Sequence, residues 1–137
     1  MLIDSRLEFS IAQVLAASGV STNVIDLSQD RNIGRGRPMW VVLQITQAPD
    51  SANADETYQA DLQTDDTDAF GSPTVIGTVT IPRTALLGAR FWIALGPDNE
   101  QFLRMNYTLG GTTPSIGLSA WLTDQEPESW ESHDDAI

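Results

Sequence analysis

The chain of 137 residues contains no cysteine, no lysine and a single histidine, His133. The lack of cysteine excludes a disulfide framework, a thiolate metal site and a cysteine nucleophile. One histidine cannot form a multi-histidine metal site, and His133 lies in an acidic terminal segment that gives a Ser-His-Asp arrangement no rigid support. We therefore expect a protein that is not an enzyme, with no catalytic residues, no cofactor and no metal.

Long apolar runs are also missing. The first residues mix charges with apolar side chains, unlike the uninterrupted hydrophobic core of a signal peptide. No stretch approaches the ~18 to 20 apolar residues that a membrane span requires. We expect a protein made and used in a soluble setting, without a membrane partner.

Positive charge is scarce, because the chain has seven Arg against a total of 19 Asp and Glu, which gives a net charge of -12. Nucleic-acid binding depends on neutralising phosphates, which a field of this sign opposes. The expected partner is a protein or a carbohydrate. Arg without Lys suits bidentate contacts with carboxylates, although compositional drift explains it equally well.

Apolar residues recur with period two in short runs separated by turn residues, which is typical of half-buried strands. The pattern predicts eight strands: Ser10 to Ala16, Thr22 to Leu27, Met39 to Gln47, Thr57 to Thr64, Thr74 to Ile81, Ala89 to Leu95, Gln101 to Leu109 and Ser115 to Thr123. The run from Met39 to Leu43 is continuously apolar, which indicates a central strand. Helix is expected only as one turn near Thr84 to Leu87.

Eight short strands in a chain of this size predict an all-β, antiparallel, jelly-roll-like β-sandwich with extended N- and C-terminal arms. An immunoglobulin-like sandwich is the alternative, but its Cys-Trp-Cys pattern is absent. We expect one domain over residues 1-123, including the N-terminal arm, and an acidic C-terminal arm over 124-137. Trp130 in that arm suits an interface anchor, so docking and disorder are both open.

Three chemical functions compete with structural roles for the same residues. Asp66 to Gly71 begins like a calcium loop, but Phe70 stands at a ligand position, so a solvated loop closed by an Asx-type turn is favoured. Two carboxylates could serve a glycosidase, although sequence cannot pair them. Trp40, Trp92 and Trp121 could form a sugar-stacking platform, but all three fall inside predicted strands, where packing is the commoner role.

Several stretches resemble a family of bacteriophage capsid cement proteins first noted in a Bordetella phage. The landmarks run in order along nearly the whole chain: Met1 to Glu8, Ser21 to Leu27, Arg31 to Gly34, Gly36 to Pro38, Asp61 to Thr64 with Phe70, Phe102 to Arg104 with Tyr107, and Asp134 to Ile137. The resemblance implies a jelly-roll-like decoration protein on the outer surface of a tailed-phage shell. Its implied partners are the major capsid protein and itself, as a homodimer or homotrimer. The tail from Glu126 to His133 departs from the family by being longer and more acidic.

Apolar residues and Arg in segments that a compact core does not need are the candidates for capsid or self contacts. They are Leu2, Ile3, Arg6 and Phe9 in the N-terminal arm, Arg31, Arg35 and Arg37 in a Gly-rich turn, and Trp130 and Ile137 in the C-terminal arm. The alternative function is a carbohydrate-binding β-sandwich module on a virion or in polysaccharide processing.

Overall fold

A computed structural model describes residues 7–27, 39–95 and 99–124. In these ranges the chain forms nine β-strands and no α-helix. The strands are β1 (Glu8–Leu15), β2 (Gly19–Val20), β3 (Ile25–Asp26), β4 (Trp40–Gln47), β5 (Thr57–Asp65), β6 (Thr74–Ile81), β7 (Arg90–Ala94), β8 (Phe102–Gly110) and β9 (Ile116–Thr123).

The strands form two antiparallel sheets. One has the order β1-β9-β4-β7, and the other has the order β2-β8-β5-β6 with β3 also pairing β8. If β2 and β3 are counted as one interrupted strand, eight strands remain. Their order is first-eighth-third-sixth in one sheet and second-seventh-fourth-fifth in the other, which is the double Greek-key arrangement of a jelly roll. The predicted all-β, jelly-roll-like sandwich is confirmed.

Alternating side chains of both sheets build the core between them. In β8, Leu103, Met105 and Tyr107 are buried, while the residues between them are half-buried. In β9, Leu118 and Leu122 are buried on the facing side. A buried Leu, Ile or Met side chain contributes about 1.5–3 kcal/mol relative to leaving it exposed, so these two strands contribute strongly to stability.

The continuous apolar run at the start of β4 has the central position that the sequence predicted. β4 lies between β9 and β7, with Val41 facing the core and Val42 facing the opposite side of the sheet, and both are fully buried. A strand covered on both faces needs apolar residues at consecutive positions.

A polar network ties the two sheets together inside the sandwich. The Tyr107 phenol of β8 hydrogen-bonds the Ser10 hydroxyl of β1 at 2.8 Å, and Ser10 donates to Gln13 Oε1 at 2.7 Å. Gln13 then holds the next segment, accepting from Thr22 N and donating to the Val20 carbonyl. Burial raises the pKa of Tyr107 well above its ordinary value, although its hydrogen bond with Ser10 acts the other way. The phenol therefore stays protonated at ordinary pH.

Some details differ from the sequence prediction. The expected strand from Thr22 to Leu27 is shortened to Ile25–Asp26, and an unpredicted strand, Gly19–Val20, precedes it. Between the two, Ser21 N donates to the Met105 carbonyl in one sheet while Asn23 N donates to the Phe9 carbonyl of β1. The expected helical turn near Thr84 to Leu87 is wrong. Residues 82–89 instead form two turns, closed by hydrogen bonds from Ala85 N to Pro82 O and from Ala89 N to Leu86 O.

The predicted arms are not placed by the structure. Residues 1–6 and 125–137 lie outside the described ranges, so the domain boundary at residue 124 stays a prediction.

Gly77 in β6 lets the two sheets approach closely. A Cβ built there would lie 2.2 Å from Ile93 Cγ2 of β7, whereas one at Gly71 would meet nothing within 4 Å. We expect Gly77→Ala to lower the free energy of unfolding by about 1–3 kcal/mol through overpacking. Gly71→Ala is the matched control, and it should be neutral or slightly stabilising. Equal stabilities of the two variants in urea titrations would contradict this packing.

Candidate functional site

Most of the predicted contact residues lie outside the described ranges. They are Leu2, Ile3, Arg6, Arg31, Arg35, Arg37, Trp130 and Ile137. Their predicted role in capsid or self contacts stays a prediction.

Phe9 is the exception, and its assignment to an arm is corrected. It lies in β1 with 0% of its side chain exposed and belongs to the hydrophobic core. The first strand begins at Glu8, two residues earlier than predicted, because it pairs there with Trp121 of β9. Phe9 therefore contributes to the fold rather than to the surface of the free chain.

The side of the sandwich formed by β6, β7 and the loop between them is unlike the rest of the molecule. We call residues 74–94 the β6–β7 side. From 69 to 97 the chain carries no Asp or Glu, and its only charged side chains there are Arg83 and Arg90. In a chain of net charge -12, this side is locally basic and apolar.

Large apolar side chains are exposed on the β6–β7 side. Of the eight exposed large hydrophobic residues in the described ranges, four lie here: Val75, Leu86, Leu87 and Trp92. Leu86 is 76% exposed at the loop tip, and Trp92 is 42% exposed on the edge strand. Trp92, together with Val79, Arg90 and Phe91, lines an open groove of about 230 Å³. Exposed apolar surface of this kind is typical of interaction sites.

The same side presents backbone groups that have no strand partner among the described residues. β6 and β7 are the last strands of their sheets, and among the described residues no strand pairs with β7 on the side away from β4. Leu95 N donates to the Met39 carbonyl and Ile45 N to the Ala89 carbonyl, so odd-numbered residues of this strand bond β4. In an antiparallel ladder the intervening residues point their N–H and C=O the other way. Trp92 and Ala94 therefore direct their backbone groups outward.

The predicted strand positions of the three tryptophans are confirmed, and each has a different environment. Trp121 pairs with Val42, and Val42 pairs with Trp92, so they form a row across β9, β4 and β7 on the face opposite the core. Trp121 is 2% exposed and Trp40 is half-buried. Trp92 alone of the three offers much of its indole to a partner.

The calcium-like loop is organised by a protein carboxylate. Asp65 accepts hydrogen bonds at Oδ1 from Asp66 N (2.6 Å) and at Oδ2 from Ser72 N (3.0 Å). Phe70 is buried, and Arg104 lies 4.2 Å from the centre of its ring. The loop is thus closed by an Asx-type turn, as favoured from the sequence.

Another carboxylate organises the opposite end of the sandwich. Asp55 accepts from the backbone N–H and the hydroxyl of Thr112, and these two bonds lower the pKa of Asp55. Tyr58 donates to the Asp50 carbonyl and accepts from Ser115 N, while burial raises the pKa of its phenol. These groups connect the β4–β5 loop to the turn between β8 and β9.

In the described ranges, no group of three or more His, Asp or Glu side chains is placed to hold a metal ion. No helix in the same ranges is long and apolar enough to cross a membrane.

The fold and its open side define an antiparallel jelly-roll protein with an apolar, acid-free edge. Residues 9–120 match the family model Bbp16, and the chain belongs to the Bbp16 family. The family name indicates a Bordetella bacteriophage protein, so the phage family expected from the sequence is confirmed at that level and fits a virion protein.

A comparison with curated proteins found no match. Among solved structures the chain is similar to the CBM22-1 and GH10 modules of Clostridium thermocellum endo-1,4-beta-D-xylanase 10B complexed with xylohexaose, at 12% identity and a TM-score of 0.35. That match covers 90% of this chain but only 28% of the other. A likeness this distant carries no information about a ligand.

Asp65 gives a pH-dependent contribution to stability. The largest effect on the pKa of Asp65 is the hydrogen bond from Ser72 N, which lowers it. Burial raises this pKa and the bonds from Asp66 lower it further, so the pKa of Asp65 lies below its ordinary value. A lowered folded-state pKa means that the carboxylate stabilises the fold above the unfolded-state pKa of about 3.9 and ceases to as pH falls through the folded-state pKa.

We therefore expect Asp65→Asn to be less stable than the natural chain at pH 7, with the difference shrinking below about pH 4. Urea unfolding at a series of pH values measures it. Asp68→Asn, which removes an exposed carboxylate from the same loop, controls for the change in net charge. A constant difference between Asp65→Asn and the natural chain down to the lowest pH would contradict this role.

Proposed function

We propose that this protein is a non-enzymatic cement, or decoration, protein of a tailed-bacteriophage capsid. It binds the outer surface of the icosahedral shell and stabilises junctions between major capsid protein subunits. Membership of a phage protein family over residues 9–120 carries the proposal. The apolar β6–β7 side supports it, because a chain that works within an assembly has a use for such a surface.

The physical effect is one of mass action. A protein that binds only the assembled shell lowers the free energy of that state relative to dissociated subunits. Contacts repeated over many copies then act together, so each can be weak. The predicted contact residues other than Phe9, in the arms and the Gly-rich turn, are the proposed points of attachment, together with self contacts in a homodimer or homotrimer.

The charge of the chain also suits this role. A net charge of -12 opposes binding to the packaged nucleic acid and discourages indiscriminate association of copies in solution. Specific contact is then favoured where acidic residues are missing, as on the β6–β7 side.

Carbohydrate binding is the weaker alternative. Stacking platforms use exposed aromatic rings, and among the described tryptophans only Trp92 is more than one-third exposed. Binding on a glycan array would support this alternative, whereas a cement protein should give no signal there.

The proposed function predicts co-sedimentation with phage shells stripped of their decoration protein. The purified full chain should have the native mass of a dimer or trimer and should pellet with the shells to a fixed stoichiometry. Bovine serum albumin, as another acidic protein, controls for trapping. A monomer that stays in the supernatant at all concentrations would contradict the proposal.

A further inference from the structure

Among the described residues, β1, β2, β6 and β7 stand at the ends of the two sheets, and three of these strands have short or irregular edges. β1 has two register shifts against β9, and its Gln13 donates to the Val20 carbonyl and accepts from Thr22 N. β2 has only two residues. The pairing of β6 with β5 shifts register between Leu62 and Gln63 of β5. Short edge strands and bulges are devices that keep a sheet from pairing with another chain.

β7 has none of these devices. All five of its residues pair with β4 in one unbroken register, it contains no proline, and Arg90 is its only charged residue. The pairing directs the N–H and C=O groups of Arg90, Trp92 and Ala94 away from β4. Of the described edges, β7 is therefore the one best suited to accept a further strand.

Charge limits which molecules approach this edge closely. Two copies of net charge -12 repel each other, and contact between their acidic surfaces increases the repulsion. Residues 69–97 contain no Asp or Glu, so two copies that meet through their β6–β7 sides bring no carboxylates of these residues together. One Arg in β7 gives little preference for an acidic peptide, whereas a second β7 offers matching apolar and main-chain groups. A second copy of the chain is the occupant that this edge fits best.

The outward groups of β7 are arranged symmetrically about Trp92. When two β7 strands pair antiparallel about a two-fold axis at this residue, Trp92 lies opposite Trp92, and Arg90 lies opposite Ala94 of the other copy. This register forms about six main-chain hydrogen bonds. Any other antiparallel register leaves at least one outward residue of each strand without a partner.

The side chains are compatible in this register. The two Trp92 residues have Cα atoms about 5.5 Å apart and form an aromatic cross-strand pair. Each Arg90 is diagonal to Trp92 of the other copy, at about 7–8 Å, where a guanidinium can reach the face of an indole. The two Arg90 residues lie about 14 Å apart, because four residues of strand separate them, and this exceeds the Debye length of about 8 Å at physiological salt.

We propose that the protein forms a two-fold dimer in which the β7 edges of two copies pair antiparallel. The two four-stranded sheets then join into one continuous sheet, with Trp92 at the centre of the interface and Arg90 towards its ends. The inference specifies the self contacts of the proposed function and favours the dimer over the trimer. It rests on that function only for the use of such contacts in a shell.

Sedimentation equilibrium of the full chain without shells tests the dimer. The natural chain should pass from monomer to dimer as its concentration rises. Trp92→Glu removes the aromatic pair and puts two carboxylates beside the axis, so the dissociation constant should rise at least roughly tenfold. Val20→Glu is the matched control, because Val20 in β2 is as exposed as Trp92, at 42%, and the variant gains the same charge. This control should dimerise as the natural chain does.

A second pair of variants removes a hydrogen bond without adding charge. Ala94→Pro deletes an N–H that faces away from β4, a change that an edge strand tolerates, and it should raise the dissociation constant roughly tenfold. Ala94→Ser keeps the N–H and should leave the constant unchanged. Equal dissociation constants for the proline and serine variants would contradict the pairing.

Hydrogen exchange locates the interface. The Trp92 and Ala94 amides should exchange roughly fourfold more slowly at a concentration about tenfold above the dissociation constant than about tenfold below it, because mass action changes the monomer fraction by that factor. Amides of residues 16–18, in the turn between β1 and β2, are the control and should exchange at the same rate at both concentrations.

Four results would overturn the proposal: a monomer up to millimolar protein, a trimer, a dimer that Trp92→Glu leaves intact, and protection of Trp92 and Ala94 that is independent of concentration. The last result would show that the edge is bonded within one molecule. Each result is obtained without shells. Shell binding by a chain that fails these tests would leave the proposed function standing, and a β7 dimer that ignores shells would leave only the dimer.

Discussion

The structure depends on the burial of the alternating side chains of β8 and β9 in the core that the two sheets share. β8 is an inner strand of one sheet and β9 an inner strand of the other, and their core-facing residues are almost wholly buried. Each has partners on both sides, so the remaining strands are arranged outward from them. At one end of each sheet, the order of paired strands stops at β6 in one sheet and at β7 in the other. The position of the β6–β7 side is thus a consequence of how the core is built.

Much of the fold could be predicted because strands that bury every second side chain have apolar residues at every second position of the sequence. The strand from Thr74 to Ile81 was predicted at its observed bounds, and β8 shows the alternating burial that the period-two pattern predicts. The divided β2 and β3 could not be predicted, because the division depends on Ser21 and Asn23 bonding to residues distant in sequence. The bulge in β1 depends likewise on Ala12 N donating to Ser119 Oγ, with Ala12 at a positive φ of 45°.

The β6–β7 side and the place of Phe9 were harder to predict from the sequence. Phe9 was assigned to an arm because it follows a charged, mixed N-terminus, whereas its burial depends on the strand that β1 pairs with. The sequence shows that residues 69 to 97 contain no Asp or Glu, but the topology decides where these residues lie on the molecule. Only the jelly-roll order places β6 and β7 at the edges of their sheets and on the same side of the sandwich. Trp92, the exposed indole, lies on the edge strand β7, whereas the buried Trp121 lies on the inner strand β9.

Family membership, the jelly roll and the acid-free side together favour a structural role in a phage particle. Stabilisation of an assembled shell can be measured as the temperature at which stripped shells open and release DNA, with and without added protein. Adding the protein should raise this temperature, and the rise should saturate at a fixed ratio of protein to shell. An opening temperature that is unchanged at saturating protein would contradict the proposed stabilisation.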